Sequence, residues 1–262
     1  MQDRFHTLIK HRLRAEIERR PPLFPWESEV RDYEAQPQEL GVPVLVPTRL
    51  WLNQLHDLTL PVPMPEPVLV QLFDRCQAVI QTSLRQGARL VQAVEKIFPG
   101  QPQVLNHLAG LVLTSPTRSG TSTGALAGMP AQYETATELQ QMALSLMAAR
   151  EILDSLTLTV SAETAHVERQ WQTSMGQLRV QATLSPQSNQ LRIQADLPCA
   201  GQIELKDTAM TANAERANAG ILSVELFDLQ LDRSYPLLIQ FHHQDATPLI
   251  FAIQPITTDT AS

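Results

Sequence analysis

Near Leu156 the apolar residues change their spacing. Upstream, Leu139, Met142, Leu146, Ala149, Ile152 and Leu153 recur three and four apart. Downstream, Leu178, Val180, Ala182 and Leu184 alternate with polar residues, as do Leu191, Ile193, Ala195 and Leu197. A period near 3.6 lines one side of a helix, and a period of 2 lines one face of a strand. One element cannot carry both patterns. The chain is therefore predicted to be α+β, with a mostly helical N-terminal region followed by an antiparallel β-sandwich-like domain. Three segments are expected: 1–66, 67–155 and 156–262.

Within the first segment, residues 2–20 read as an amphipathic helix. Phe5, Leu8, Ile9, Leu13 and Ile17 form its stripe, and Pro21 and Pro22 end it. Six basic residues there (Arg4, Lys10, Arg12, Arg14, Arg19, Arg20) outnumber three acids, a net charge of +3. The whole chain carries −7, so the remainder carries −10. Three readings of this basic arm stay open. It packs its stripe on the body, it docks a partner protein, or it meets nucleic acid or an anionic membrane. A proline-punctuated stretch follows, in which Leu23, Phe24 and Trp26 read as apolar anchors beside the arginines. Leu23, Phe24, Trp26, Arg12, Arg19 and Arg20 are accordingly the candidate partner-binding residues. Further on, Arg49 to Leu52 opens a short helix, and 61–65 is an extended connector with alternate prolines.

Pro67 stands where a first helical turn accepts proline. From it a single long helix is expected to 98, with a bend possible at Gly87, and Pro99-Gly100 closes it. Pro102 opens a further helix through Leu105, Leu108 and Val112. That helix has no Arg or Lys between Pro102 and Leu113, which makes it a poor candidate for reading DNA in a helix-turn-helix. Ser115 to Met129 reads as a loop, rich in Gly, Ser, Thr and Ala. From Tyr133 to Ser155 the run Met142 to Ala149 is apolar on most sides, the mark of a central, buried helix.

Strands are expected at about 156–160, 167–172, 176–184, 190–197, 201–207, 221–231, 235–243 and 248–254. Ser185 to Asn189 joins two matched alternations as a hairpin. Its wet face carries Arg179, Gln181 and Thr183 against Arg192, Gln194 and Asp196. The stretch Gly201 to Asp207, then an alanine-rich loop over Thr208–Ala219, then Phe227 to Ile239 with Tyr235 opening a strand, resembles prealbumin-like sandwich modules such as carboxypeptidase regulatory domains. The family's glycine before the tyrosine is Ser234 here. The resemblance implies a scaffolding or interaction module rather than a catalyst.

The chemistry-bearing residues stay scattered. His6, His11, His56, His107 and His166 have no carboxylate or cysteine at ligand spacing, and His242 and His243 should point to opposite faces of one strand. Cys76 and Cys199 form no local pair, which fits a reducing compartment, and one bridge between the two regions stays open as the alternative. Thr114 to Gly124 lacks the lysine and spacing of a phosphate loop. No metal or other cofactor is expected, and no apolar run approaches a membrane span. Scarce lysine and abundant glutamine fit a bacterial chain. The expected function is that of a non-enzymatic cytoplasmic adaptor or regulator working through another protein. The alternatives are a DNA-linked regulator using the basic arm, and an enzyme whose site is assembled from distant residues.

The alternation itself is testable. Ile193→Asp, which places an unpaired charge on the buried face, should cost several kcal/mol, about 3 or more. Gln194→Asp on the wet face should change stability by about 0.5 kcal/mol or less, both read by urea denaturation.

Overall fold

The computed structural model describes residues 51–82, 84–114, 131–207, 210–242 and 247–257. All of them belong to the compact unit Val46–Ser262. Among the described residues five α-helices come first: α1 (Leu52–His56), α2 (Glu66–Ile80), α3 (Gln86–Glu95), α4 (Pro102–Thr114) and α5 (Glu138–Ser155). Nine strands follow: β1 (Thr157–Val160), β2 (His166–Thr173), β3 (Gly176–Ser185), β4 (Gln190–Leu197), β5 (Gly201–Lys206), β6 (Thr211–Arg216), β7 (Gly220–Leu226), β8 (Tyr235–Phe241) and β9 (Leu249–Pro255). The fold is α+β, with the change of period at Leu156 marking the passage from α5 to β1.

Helix α5 is the central one. It touches α2, α3 and α4 and buries residues on most of its circumference, Met142 through Leu146 among them. Ser145 is fully buried there, and its hydroxyl meets the Tyr133 hydroxyl at 3.3 Å. A capping box starts the helix: the Thr137 hydroxyl accepts from the Gln140 N–H while the Gln140 side chain accepts from the Thr137 N–H. Tyr133 itself lies in a separate 3₁₀ turn, Tyr133–Thr135, just upstream.

The single long helix expected over 67–98 is two helices. The chain leaves helical geometry after Ile80 and resumes at Gln86, ahead of Gly87 rather than at it. The Thr82 hydroxyl donates to the Val79 carbonyl at 2.6 Å, and Arg89 donates to the Thr82 carbonyl at 2.8 Å. These side chains satisfy the loose carbonyls of a helix end. Helix α3 then folds back along α2.

The strands build two sheets, one in the order β1-β9-β8-β5-β6 and the other β2-β3-β4-β7. All ladders are antiparallel except β1 with β9, which is parallel. The hairpin pairs Arg179 with Asp196, Gln181 with Gln194 and Thr183 with Arg192, so the wet face has the expected register. The opposite face, with Val180, Ala182, Ile193 and Ala195 fully buried, turns toward Ile203, Leu237, Ile239 and Phe251 of the other sheet. Strand β6 occupies part of the stretch expected as an alanine-rich loop. Its alternate Ala212 and Ala214 pack inward as small residues at a sheet edge, without the large apolar alternation that marks a strand. Strand β7 ends at Leu226 instead of running to 231, because Asp228 takes a left-handed backbone, φ 56°.

Helices and sheets share one continuous apolar core. Trp171 of β2 meets Phe73 of α2 at a centroid distance of 5.9 Å and Phe251 of β9 at 6.0 Å, edge to face. Trp51, just before α1, packs on Phe241 of β8 at 5.3 Å. Two glutamines from the helices serve strand backbones. Ile250 of β9 donates its N–H to Gln77 Oε1 at 2.8 Å, and Gln172 of β2 donates to Gln54 Oε1 at 3.0 Å. Two residues on, Ala252 donates to the Leu156 carbonyl, where β1 takes over. Gln77 thus stands in for a strand where β9 outruns β1. Gln77→Leu would leave a partly buried N–H without its partner, and it should destabilise the protein by about 1–3 kcal/mol in urea titration.

Candidate surface at the loop end of the sandwich

Strand registers bring the β3–β4 turn, the β5–β6 loop, the β7–β8 loop and the chain after β9 to one end of the sheets, away from α1. Four large apolar residues are exposed on these segments: Met210 (50%), Phe227 (51%), Leu231 (44%) and Ile256 (37%). Leaving such side chains in water is unfavourable, and their gathering on loops at one end is the kind of surface that marks a binding site.

The loops that carry them are tied down. Tyr235 opens β8, fully buried, with its hydroxyl placed back on Gln230: it accepts from the Gln230 N–H at 2.7 Å and donates to the Gln230 carbonyl at 3.2 Å. A tyrosine folded back onto its own upstream backbone is a known corner device of β-sandwiches. Arg233 lies over the Tyr235 ring at 5.7 Å and pairs with Asp207 of the β5–β6 loop at 3.0 Å. Asp207 in turn donates its N–H to the Met210 carbonyl at 2.8 Å. Asn189 of the β3–β4 turn donates to the Leu229 carbonyl at 3.0 Å, and Leu229 is buried beneath the loop. Asp232 donates its N–H to the Pro255 carbonyl at 2.7 Å, while its carboxylate accepts from the N–H and hydroxyl of Thr257. Leu231 and Ile256 therefore flank one cross-link between two segments.

Among the described residues, three other than glycine hold a left-handed backbone, and all lie at this end: Asn189, Asp228 and Asp232. Asparagine and aspartate tolerate that conformation best. Their positions bend the loops so that apolar side chains stay outside while Leu229 points in.

The six residues read as partner-binding from the sequence, Arg12, Arg19, Arg20, Leu23, Phe24 and Trp26, lie outside the described residues, as does the loop read over Ser115–Met129. The histidines that are described stay apart. His56 ends α1 and His107 is exposed on α4. His166 meets the Thr183 hydroxyl at 3.1 Å, and His242 meets Glu215 at 3.4 Å. Among the described residues, no three His, Cys, Asp or Glu side chains gather as a metal site, and no helix is long and apolar enough to cross a membrane. Cys76 is buried with its thiol on the Ala149 carbonyl, and burial pushes its pKa up. Comparison with family models, characterised proteins and solved structures finds no significant match.

The loop end carries no distinctive mark in the sequence. Phe227, Leu229 and Leu231 alternate as a strand would, and only Asp228 between them and Asp232 after them signal a turn.

The Asp232 tie has a sign that can be checked. The hydrogen bonds from Thr257 hold the Asp232 carboxyl below the usual carboxylate range. A lowered pKa means that the tie is fully present above the ordinary aspartate value and is lost as pH falls through the lowered one. The Thr257 amide resonance should titrate with a midpoint below about 3.9, the ordinary aspartate value. A midpoint at or above that value would show the carboxyl is not held.

Proposed function

We propose that this chain is a non-enzymatic adaptor or regulator of a bacterial cytoplasm, acting through protein–protein contacts. One observation carries the reading. Met210, Phe227, Leu231 and Ile256 are exposed on loops that hydrogen bonds and an ion pair hold in place. A surface fixed before binding loses little further conformational freedom when a partner arrives, so its apolar contacts count more fully toward affinity. Asp228 and Asp232 lie beside the apolar residues, which fits a partner that sets basic side chains around an apolar centre. The arm with Arg12, Arg19, Arg20, Leu23, Phe24 and Trp26 offers a second contact of opposite charge. The prealbumin-like pattern of 201–239 supports the same assignment, since such modules serve as scaffolds. The geometry of the described residues offers no comparable support for the DNA-linked or enzymatic alternatives.

The test compares wild type with Leu231→Glu/Ile256→Glu and with a deletion of residues 1–35, by quantitative affinity capture from the native cell. Both substituted side chains are exposed, so the double variant should melt within about 2 °C of wild type. It should lose its main captured protein at least about tenfold, the effect of removing two apolar anchors. Unchanged capture by a folded double variant would sink the proposal for this surface, and unchanged capture by the deletion would remove the arm from it.

A further inference from the structure

Among the described residues, strand β7 closes one side of the four-stranded sheet and pairs only with β4. Strands β5 and β6 pack beneath it, in the other sheet. Leu222, Val224 and Leu226 are buried, and Ile221, Ser223 and Glu225 lie on the wet face. The backbone direction follows from the ladders: the Leu184 N–H goes to Ala165 on the β2 side, so alternation carried through β3 and β4 leaves Leu222, Val224 and Leu226 bonded toward β4 and Ile221 facing away. Arg216 donates from Nη1 to the Ile221 carbonyl at 2.9 Å. By strand alternation, Ser223 and Glu225 turn their N–H and C=O groups the same way, toward the open edge. Ile221 is 60% exposed and Phe227, directly after the strand, 51%.

From this edge we propose that β7 pairs antiparallel with β7 of a second copy of the chain, making one continuous eight-stranded sheet across a two-fold axis. The sequence of the edge selects the occupant and the register. An axis at Val224 puts Ile221 opposite Phe227 of the partner subunit, and it does so twice by symmetry. The same register sets Ser223 opposite Glu225 of the partner subunit. Arg192 already rests on Ser223, with Nε at 3.2 Å from Oγ, and pairs with its own Glu225 at 3.5 Å. The incoming carboxylate therefore arrives beside a guanidinium. An axis at Ser223 would face Ile221 with a carboxylate, and an axis at Glu225 would set two carboxylates against each other. Only the Val224 register joins apolar to apolar and acid to base. A carbonyl oxygen has two lone pairs, so the Arg216 contact to Ile221 can persist beside the new bond. The edge shares Phe227 with the loop-end surface, whose Leu231 and Ile256 lie outside the pairing.

Sedimentation velocity on the full chain tests it, over about 1 to 100 µM, a range that brackets a modest dimer. Wild type should shift from monomer toward dimer with concentration. Ile221→Lys and Phe227→Glu should each weaken association roughly tenfold, because both symmetric cross-strand pairs are lost. The combined I221K/F227E chain should recover it, since each Lys then faces a Glu across the axis. Thermal melting of the singles should stay near wild type, both sites being exposed. Leu231→Glu/Ile256→Glu should leave the dimer intact, which separates this proposal from the loop-end reading. A wild type that stays monomeric throughout, singles that dimerise normally, or a combined variant no better than the singles would each overturn the pairing.

Discussion

A sheet is held together by backbone hydrogen bonds, and every sheet ends in two strands whose outer groups lack partners. How this chain treats its four sheet edges organises the molecule. Strand β9 extends past the start of β1, so without a helix partner Ile250 would present a partly buried N–H to nothing. Gln77 of α2 takes it, and Trp171 fills the space between Phe73 and Phe251. On the neighbouring edge, Gln54 of α1 takes the N–H of Gln172 in β2. The helices are thus more than an appended layer. They complete the sandwich on the side of β1 and β2, which explains why a single apolar core runs from Trp51 to Ile253.

The other two edges, β6 and β7, receive different treatment. β6 is short and mixes alanine with Thr211, Asn213 and Glu215, a composition that resists pairing with strange strands. β7 is longer, with Leu222, Val224 and Leu226 fully committed to the core and exposed Ile221 at its start. Its one charged residue, Glu225, is engaged by Arg192 on the adjacent strand. Charge at an edge discourages pairing in most registers and permits it in the one where a complementary group waits. An edge of this kind is selective rather than blunt.

What could be read from the sequence follows the same physics. The β3–β4 hairpin was legible to within one residue, Ser185 ending β3 instead of opening the turn, because alternation fixes faces and a polar turn fixes register. The central helix α5 was legible because apolar residues on most sides admit only burial. The break between α2 and α3 was not, since no proline or glycine lies at 81–85 and the stop comes from Thr82 and Arg89 contacting carbonyls. β6 was missed because short alanine-rich edge strands carry no apolar signal. At the candidate site the failure is deeper. Alternation tells which residues share a face, but whether that face is covered depends on partners distant in sequence. Phe227 and Leu231 look no different from Leu229 until Asn189 and Tyr235 are seen to pull the loop over Leu229 alone.

The two halves of the molecule therefore divide their tasks. Burial on the helix side is extensive, and it stabilises the sandwich from the flank where edges most needed cover. With that flank closed, the loop end is heavily cross-linked on its own account. Side-chain and backbone bonds from Tyr235, Arg233, Asn189 and Asp232 join three loops and the end of β9, and three left-handed residues are held among them. Strained backbone persists only where its surroundings over-determine it. Loops with no role beyond connection have no reason to be fixed so firmly or to keep apolar side chains in water. Rigid support beneath an exposed apolar surface is what recognition demands, because the ordering cost is met during folding instead of at the moment of binding.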